Sequence, residues 1–383
     1  MLKKIILRNF KSFRDSTFEL GPLTLMVGAN ASGKSNFVDA LRFLQGCARG
    51  LTLSEIFSGK WEGGQRVWIP IRGGEQEVFD LFEKQGFFLI DLHRELTHST
   101  NAINNGNYRL IIGQRDKKLA ILQEQFVVGD HEFYGPPSEG EDVWTKLLVM
   151  SKTTSEVPEK IRDIIYIFKT WLSNLNFFDP TPSLMRDYVS QNHSEIGQRG
   201  ENLSAALFKL ASDSQQGQTV LEWIQELCQQ EITKFEFDET RLGEVLLFLK
   251  EPNGVTISAR SISDGTLRFL AIIVAMLTAK EGTTFIIEEI DNDLHPSRLH
   301  LLINFLEQVT ASRKLQVIAS THSPYLLDHL SEESLNNVLV FHRDAQSVET
   351  KVIKLVEIPG YAEARKNMPL DLMHASSWME QNL

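Results

Sequence analysis

The run Gly28-Ala29-Asn30-Ala31-Ser32-Gly33-Lys34-Ser35 constrains this chain more than any other feature. It fits G-x-x-x-x-G-K-[ST] and lies between a compact apolar strand, Leu23 to Val27, and a helix opening at Lys34. Phe37, Val38, Leu41 and Leu44 give that helix an apolar face of 3.6 periodicity. Glycines let such a loop curl so that backbone N–H groups converge on a phosphate, and the helix N-terminus adds a positive field. Lys34 then reaches the β- and γ-phosphates of a nucleotide, and the Ser35 hydroxyl enters a Mg²⁺ shell. The expected nucleotide contacts are Gly28, Asn30, Ser32, Gly33, Lys34, Ser35 and Asn36, with ATP and Mg²⁺ as cofactors.

Three later motifs extend this phosphate chemistry. Thr283-Thr284-Phe285-Ile286-Ile287 is an apolar strand ending in Glu288-Glu289, two carboxylates that successive strand positions aim in different directions. Glu288 is placed to hold Mg²⁺ through water, and Glu289 to orient or deprotonate an attacking water. Ser263-Asp264-Gly265-Thr266, 25 residues before Glu288, is a small polar loop at a helix start and hence a second anion site. Val317-Ile318-Ala319-Ser320-Thr321-His322 ends a further strand in a histidine able to sense the γ-phosphate and polarise water. Glu289, His322 and Lys34 are the expected catalytic residues.

Composition narrows the setting. With 42% hydrophobic and 23% charged residues over 383 positions, the chain is a folded globular protein. Its net charge of −11 excludes a uniformly basic surface, so nucleic acid contact is confined to a local patch. Cys47 and Cys228 have no ligand-like spacing, which excludes a disulfide framework and suits a reducing cytosol. The start, Met1 to Arg8, meets charge too early for a signal peptide, and the longest apolar run is Phe269 to Leu277. That run is well short of the roughly 20 residues of a membrane span, so a cytoplasmic location without a membrane partner is expected.

Four segments are expected. Residues 1–135 hold the P-loop, read as strand, turn (from Phe13), strand, loop and helix, followed by an antiparallel sheet. Residues 136–255 form a mainly helical insertion, with helices Val157 to Leu175 and Asn202 to Gln229 and a strand pair at 232–250. Residues 256–345 alternate helix and strand, including a helix from Leu267, one over Pro296 to Thr310 and one from Ser323. Residues 346–383 are a strand and a polar tail. No heptad repeat is sustained, so no long coiled coil is expected.

In this order the P-loop, Ser263-Asp264-Gly265-Thr266, Ile287-Glu288-Glu289, Asp293-Leu294-His295-Pro296 and Thr321-His322-Ser323-Pro324 resemble the RecF/OLD/SMC-like branch of ABC-type ATPases. The opening Leu7-Arg8-Asn9-Phe10-Lys11-Ser12-Phe13 is typical of it too. The nearest likeness is to short single-domain bacterial ATPases similar to the ATPase half of OLD (overcoming lysogenization defect) nucleases. The resemblance spans the chain, sharp at both ends and weak across 80–255.

It implies an α/β fold: an ABC-type P-loop head with a mixed sheet, an N-terminal antiparallel β lobe and a helical insertion. It also implies a homodimer or higher homo-oligomer, in which Ser263 to Thr266 of one subunit cover the γ-phosphate held by Lys34 of the other. Asn292-Asp293-Leu294 is then the D-loop, and Gln76 the Q-loop residue near the metal. Leu184-Met185-Arg186 and Gly200-Glu201-Asn202-Leu203 also look like patterns of this group, but chemistry assigns them no role.

OLD nucleases add a C-terminal Toprim domain, for which the 61 residues after His322 are too few. The expected function is therefore a slow ATP-hydrolysing switch that controls a separately encoded effector, such as a Toprim-type nuclease, in anti-phage or plasmid defence. The alternative is a RecF-like DNA-binding repair ATPase, with Lys3, Lys4, Arg8, Lys11 and Arg14 lining a surface for the DNA backbone. A transporter subunit is disfavoured, because 229 residues separate Lys34 from Ser263 and the signature loop departs from Leu-Ser-Gly-Gly-Gln.

Overall fold

An apolar face interrupted by one irregularity builds the first strand: β1 (Leu2–Phe10) buries Leu2, Ile5, Leu7 and Phe10, leaves Lys3 and Arg8 toward solvent, and shifts register between Leu2 and Lys4. This is a computed structural model that describes residues 1–79, 86–97, 103–115, 118–139, 143–146, 159–227, 232–344 and 347–382. The chain forms two compact units. One comprises Met1–Leu175, Asn336–Ala364 and Ser377–Leu383; the other comprises Asn176–Leu335 and Arg365–Ser376.

In the first unit β1 pairs antiparallel with β2 (Phe13–Glu19), Ile5 facing Phe18, and with Phe87–Thr97, Leu7 facing Ile90. Phe13 thus opens a second strand, not the turn expected there. Positive φ at Asn9 (51°) and Lys11 (50°) closes the chain so tightly that Phe10 faces Phe13. The strand is hard to read because its buried positions, Phe13, Ser16 and Phe18, include a serine that breaks the apolar alternation. The sheet continues through Ile103–Arg115 and Lys118–Val128 to seven strands among the described residues.

Strand β3 (Leu23–Val27) is buried at every position and runs parallel to Val338–Arg343, which pairs antiparallel with Thr350–Lys354. Helix α1 (Lys34–Ala48) sets Phe37 against Phe18 (ring centroids 4.6 Å apart) and Phe43 against Phe88 (5.4 Å). These fully buried rings make the core that fixes the helix. At its far end Gln45 Nε2 donates to the carbonyl of Leu175 at 2.6 Å.

One polar cluster is sealed inside this unit. Lys11 is 2% exposed, and its Nζ donates to Asp39 Oδ2 at 2.6 Å and to the Arg72 carbonyl at 2.7 Å. Arg72 in turn donates to Asp39 at 3.2 Å and to the Ser35 carbonyl at 2.8 Å. Lys11 therefore does not belong to a DNA-facing surface. Lys3 and Arg8 are neutralised as well, by Glu95 at 3.1 Å and Asp15 at 3.0 Å.

In the second unit Thr284–Ile287 runs parallel to Gln316–Ser320 (Ile286 opposite Ile318) and to the short strand Asn176–Phe177. A separate antiparallel sheet contains Val189–Ser190, Glu244–Lys250, Lys234–Glu239 and Thr256–Ser258. The strand pair expected over 232–250 is Lys234–Glu239 with Glu244–Lys250, while the short strands Asn176–Phe177 and Val189–Ser190 add to a segment expected to be otherwise helical. The helix expected over 202–229 is two, Leu203–Ala211 and Ser214–Leu227. Asp213 separates them and accepts the N–H groups of Gln215 and Gln216. The helix expected over Val157 to Leu175 is described as Glu159–Ser173; Val157 and Pro158, like Cys228 and Gln229, lie outside the described residues.

The helix expected from Leu267 starts at Asp264 and runs to Thr278. Its apolar run Phe269 to Met276 is buried as protein core, and no described helix is long and apolar enough to cross a membrane. The helix expected from Ser323 is instead a 3₁₀ stretch, Pro324–His329, with Pro324 in its first turn, where a missing N–H costs no helical bond. The polar tail also folds into helices, Tyr361–Asn367, Leu370–Ala375 and Trp378–Gln381, with Leu370, Met373 and Met379 buried. The longest described helices have 15 residues, which at 1.5 Å per residue is roughly 22 Å, far short of a coiled-coil arm.

Replacing Lys11 by Met tests the sealed cluster. It leaves Asp39 with only the half-exposed Arg72, so stability to urea should fall by about 3 kcal/mol. A loss below about 1 kcal/mol would show that the pair adds little to this unit.

Candidate nucleotide site

The first unit carries the glycine-rich loop as a tightly wedged turn. Gly28 has φ +143°, and a Cβ there would lie 2.2 Å from the Phe341 carbonyl oxygen. Gly33, at φ +107°, is the N-cap of α1, and its Cβ would lie 2.5 Å from Thr350 Oγ1. Only glycine fits either place. Helix α1 opens with no side-chain cap, which leaves its N-terminal field available to an anion.

Lys34 is buried and folds over the loop, its Nζ donating to the carbonyls of Gly28 at 2.7 Å and Ala29 at 2.9 Å. The ammonium is thus held among carbonyl acceptors at the point where the loop would wrap a phosphate. An uncapped helix end, an ammonium and the half-exposed Ser35 hydroxyl together are a donor set that fits a Mg²⁺-nucleotide. A cleft of about 500 Å³ opens beside the loop, lined by Asn30, Ala31, Ser32, His342, Arg343 and Asp344 among others.

Two braces that the sequence did not reveal set the loop's shape. Thr350 Oγ1 donates to the Ser32 carbonyl at 2.9 Å and lies 2.8 Å from Ser12 Oγ. Asn36, expected among the nucleotide contacts, donates its amide to Ser12 at 2.7 Å. Gln76 sits exposed on the short helix Gly74–Phe79, just after the Arg72 that bonds the Ser35 carbonyl.

The second unit assembles the carboxylates and the histidine. Buried strand Thr284–Ile287 delivers Glu288 half-buried and Glu289 exposed. Glu289 sits at φ +49°, held there by its own N–H donating to Ser320 Oγ at 3.0 Å and by Arg268 donating to its carbonyl at 3.2 Å. Its carboxylate accepts from Asn292 Nδ2 at 2.5 Å and stands 3.8 Å from His322 Nε2. That spacing is too long for a direct hydrogen bond and suits a water shared between them.

The Ser263 hydroxyl caps the helix Asp264–Thr278, accepting from the Thr266 N–H at 3.2 Å and lying 2.8 Å from Thr266 Oγ1. Ser263 and Asp264 are exposed while most of the helix behind them is buried. Gly265 is needed because a Cβ there would come within 2.2 Å of the Asp293 carbonyl, so the Asn292-Asp293-Leu294 turn packs directly on this tip. Arg268, 5% exposed, also reaches the Pro180 carbonyl at 3.0 Å; no local spacing marked it, or Ser320, as part of the site.

Residues 83–328 match the family model described as an AAA domain, putative AbiEii toxin, Type IV TA system. The chain belongs to this AAA-domain family. Residues 1–123 also match the AAA ATPase domain model. Over 350 residues, 87% of the chain and 88% of the relative, it is 21% identical to an ATP/GTP phosphatase of Helicobacter pylori. It is 33% identical over 135 residues to the chromosome partition protein Smc of Desulfitobacterium hafniense, of whose length it spans 11%.

Among solved structures, an Smc head bound to the C-winged helix domain of ScpA aligns over 92% of this chain and 96% of its own, with a TM-score of 0.51 and 12% identity. The fold is that of an SMC-type ATPase head, and the protein is a P-loop ATPase of the AAA-domain family.

Thr350→Val removes the remote brace with little change of volume. Binding of a non-hydrolysable ATP analogue, measured by calorimetry, should weaken about fivefold, since one buried hydrogen bond contributes roughly 1 kcal/mol. Unchanged affinity would mean that the loop holds its shape without Thr350.

Proposed function

We propose that this protein is an ATP-driven switch that closes as a homodimer, each Ser263–Thr266 tip covering the nucleotide held by the other copy's P-loop. The observation that carries this reading is the Ser263–Thr266 tip, whose hydroxyls and helix end stand exposed on an otherwise buried helix. A buried stem with a polar exposed end is what a phosphate-contacting interface needs.

In this reading Gly28 to Asn36 wrap the triphosphate, and Lys34 exchanges its loop carbonyls for phosphate oxygens. Ser35 and Glu288, with Gln76, would hold Mg²⁺, which would supply charge neutralisation to the phosphates. Glu289 accepts a proton from the water as its oxygen bonds to the γ-phosphorus, and the bridge to ADP breaks. His322 orients the same water from the other side, consistent with its 3.8 Å separation from Glu289. Hydrolysis is slow, because the site is complete only on closure.

We assign the closed dimer the task of controlling a separately encoded effector, such as a Toprim-type nuclease, in anti-phage or plasmid defence. The family description, naming a putative toxin of a type IV toxin–antitoxin system, favours that setting over repair. So does the loss of Lys11, Lys3 and Arg8 as free cations for a DNA backbone. Co-purification with the product of an adjacent reading frame tests the effector; a protein that captures none and shows salt-sensitive DNA shifts would favour the repair reading.

The switch itself is tested by two substitutions. Lys34→Ala should abolish ATP binding. Glu289→Gln should bind ATP, hydrolyse it at least about a hundredfold more slowly and sediment as a dimer only with ATP. Wild-type turnover by the Glu289→Gln protein would remove Glu289 as the base.

A further inference from the structure

The Leu184-Met185-Arg186 pattern, unused so far, organises the exposed tip of the Asp264–Thr278 helix. Met185 is 1% exposed, and its Cε fills the space where a Cβ on Gly200 (φ +71°) would come within 2.4 Å. Met185 is thereby fixed, and the next side chain is aimed at the signature loop. Arg186 Nη1 donates to the carbonyls of Ala259 at 2.9 Å and Arg260 at 2.8 Å, while Nη2 donates to Asp264 Oδ1. Asp187 accepts from Arg260 Nη2 at 2.8 Å, so a second ion pair holds the same loop.

Asp264 poses an electrostatic problem. It puts a carboxylate in the first turn of the helix, between Ser263 and Gly265, where the tip would meet a nucleotide. A negative charge there stabilises an isolated helix end, but it repels a polyanion approaching the same N–H groups. Nor is Asp264 the cap, since the Ser263 hydroxyl fills that position. The guanidinium of Arg186 cancels the charge and holds the preceding loop by its carbonyls.

We propose that Arg186 is a positioning residue of the composite ATP site. It holds Asp264 as a neutral pair, so that the Ser263–Thr266 tip accepts the triphosphate bound by a second copy of this chain. This inference rests on the two-copy reading given above.

The test uses the full chain in a Glu289→Gln background and reads the ATP concentration that drives dimerisation, by analytical ultracentrifugation. Arg186→Ala should leave ATP binding by the monomer unchanged. Dimer affinity should weaken about a hundredfold, because a two-fold assembly contains the contact twice and each copy loses about tenfold. Adding Asp264→Asn to Arg186→Ala should restore dimerisation to within about threefold, since the uncompensated charge is then gone. Arg186→Lys should fall between, keeping the charge without the planar fork.

Normal dimerisation of Arg186→Ala would overturn the proposal. So would a loss that Asp264→Asn fails to restore, because a purely structural arginine is not rescued by removing its partner's charge. If the Glu289→Gln parent itself stays monomeric with ATP, the two-copy reading falls and this inference with it.

Discussion

The glycine-rich loop depends on being crowded from far along the chain. The Phe341 carbonyl excludes any side chain from position 28, and Thr350 both excludes one from position 33 and ties down the Ser32 carbonyl. Thr350 is 318 residues away in sequence from the serine it holds. Without that pressure a run of small residues would sample many conformations, and the entropy of ordering it would fall on the nucleotide. The hairpin therefore pre-organises the loop before any ligand arrives.

A second polar system ties the loop's helix to the turn that follows β1. The buried Lys11–Asp39 pair joins the β1–β2 turn to α1, and Arg72 extends the link to the Ser35 carbonyl. Two charges taken out of water are tolerated here because each has further partners, the Arg72 carbonyl for Lys11 and the Arg72 guanidinium for Asp39. The basic residue of the opening motif is thus spent on internal structure. In the second unit the helix Asp264–Thr278 plays the corresponding part. Its exposed tip carries Ser263 and Asp264, and its buried Arg268 donates to the carbonyl of Glu289, so one hydrogen bond ties the helix behind the tip to the backbone of the carboxylate.

Much of this was legible in residue order. The strand, loop and helix around Gly28 to Lys34 could be read because glycine, lysine and the apolar period all fall within about twenty residues. The strand ends at Glu289 and His322 were equally plain, as each is an apolar run closed by a polar residue. Strand β2 is hidden where Ser16 replaces an apolar residue on the buried face, and the segment after Ser323 forms a 3₁₀ stretch where a helix is expected.

By itself, then, the sequence determined the local chemistry: which loop curls around phosphate, which strand tips bear carboxylate and imidazole, and which helix is buried throughout. Tertiary structure alone decided what holds these pieces in place. Thr350 on Ser32, Arg72 on Ser35, Arg268 on Glu289 and Arg186 on Asp264 are bonds between residues tens to hundreds of positions apart. Local periodicity records only which face a side chain takes, and a hydrogen bond formed across the fold leaves no spacing for it to record.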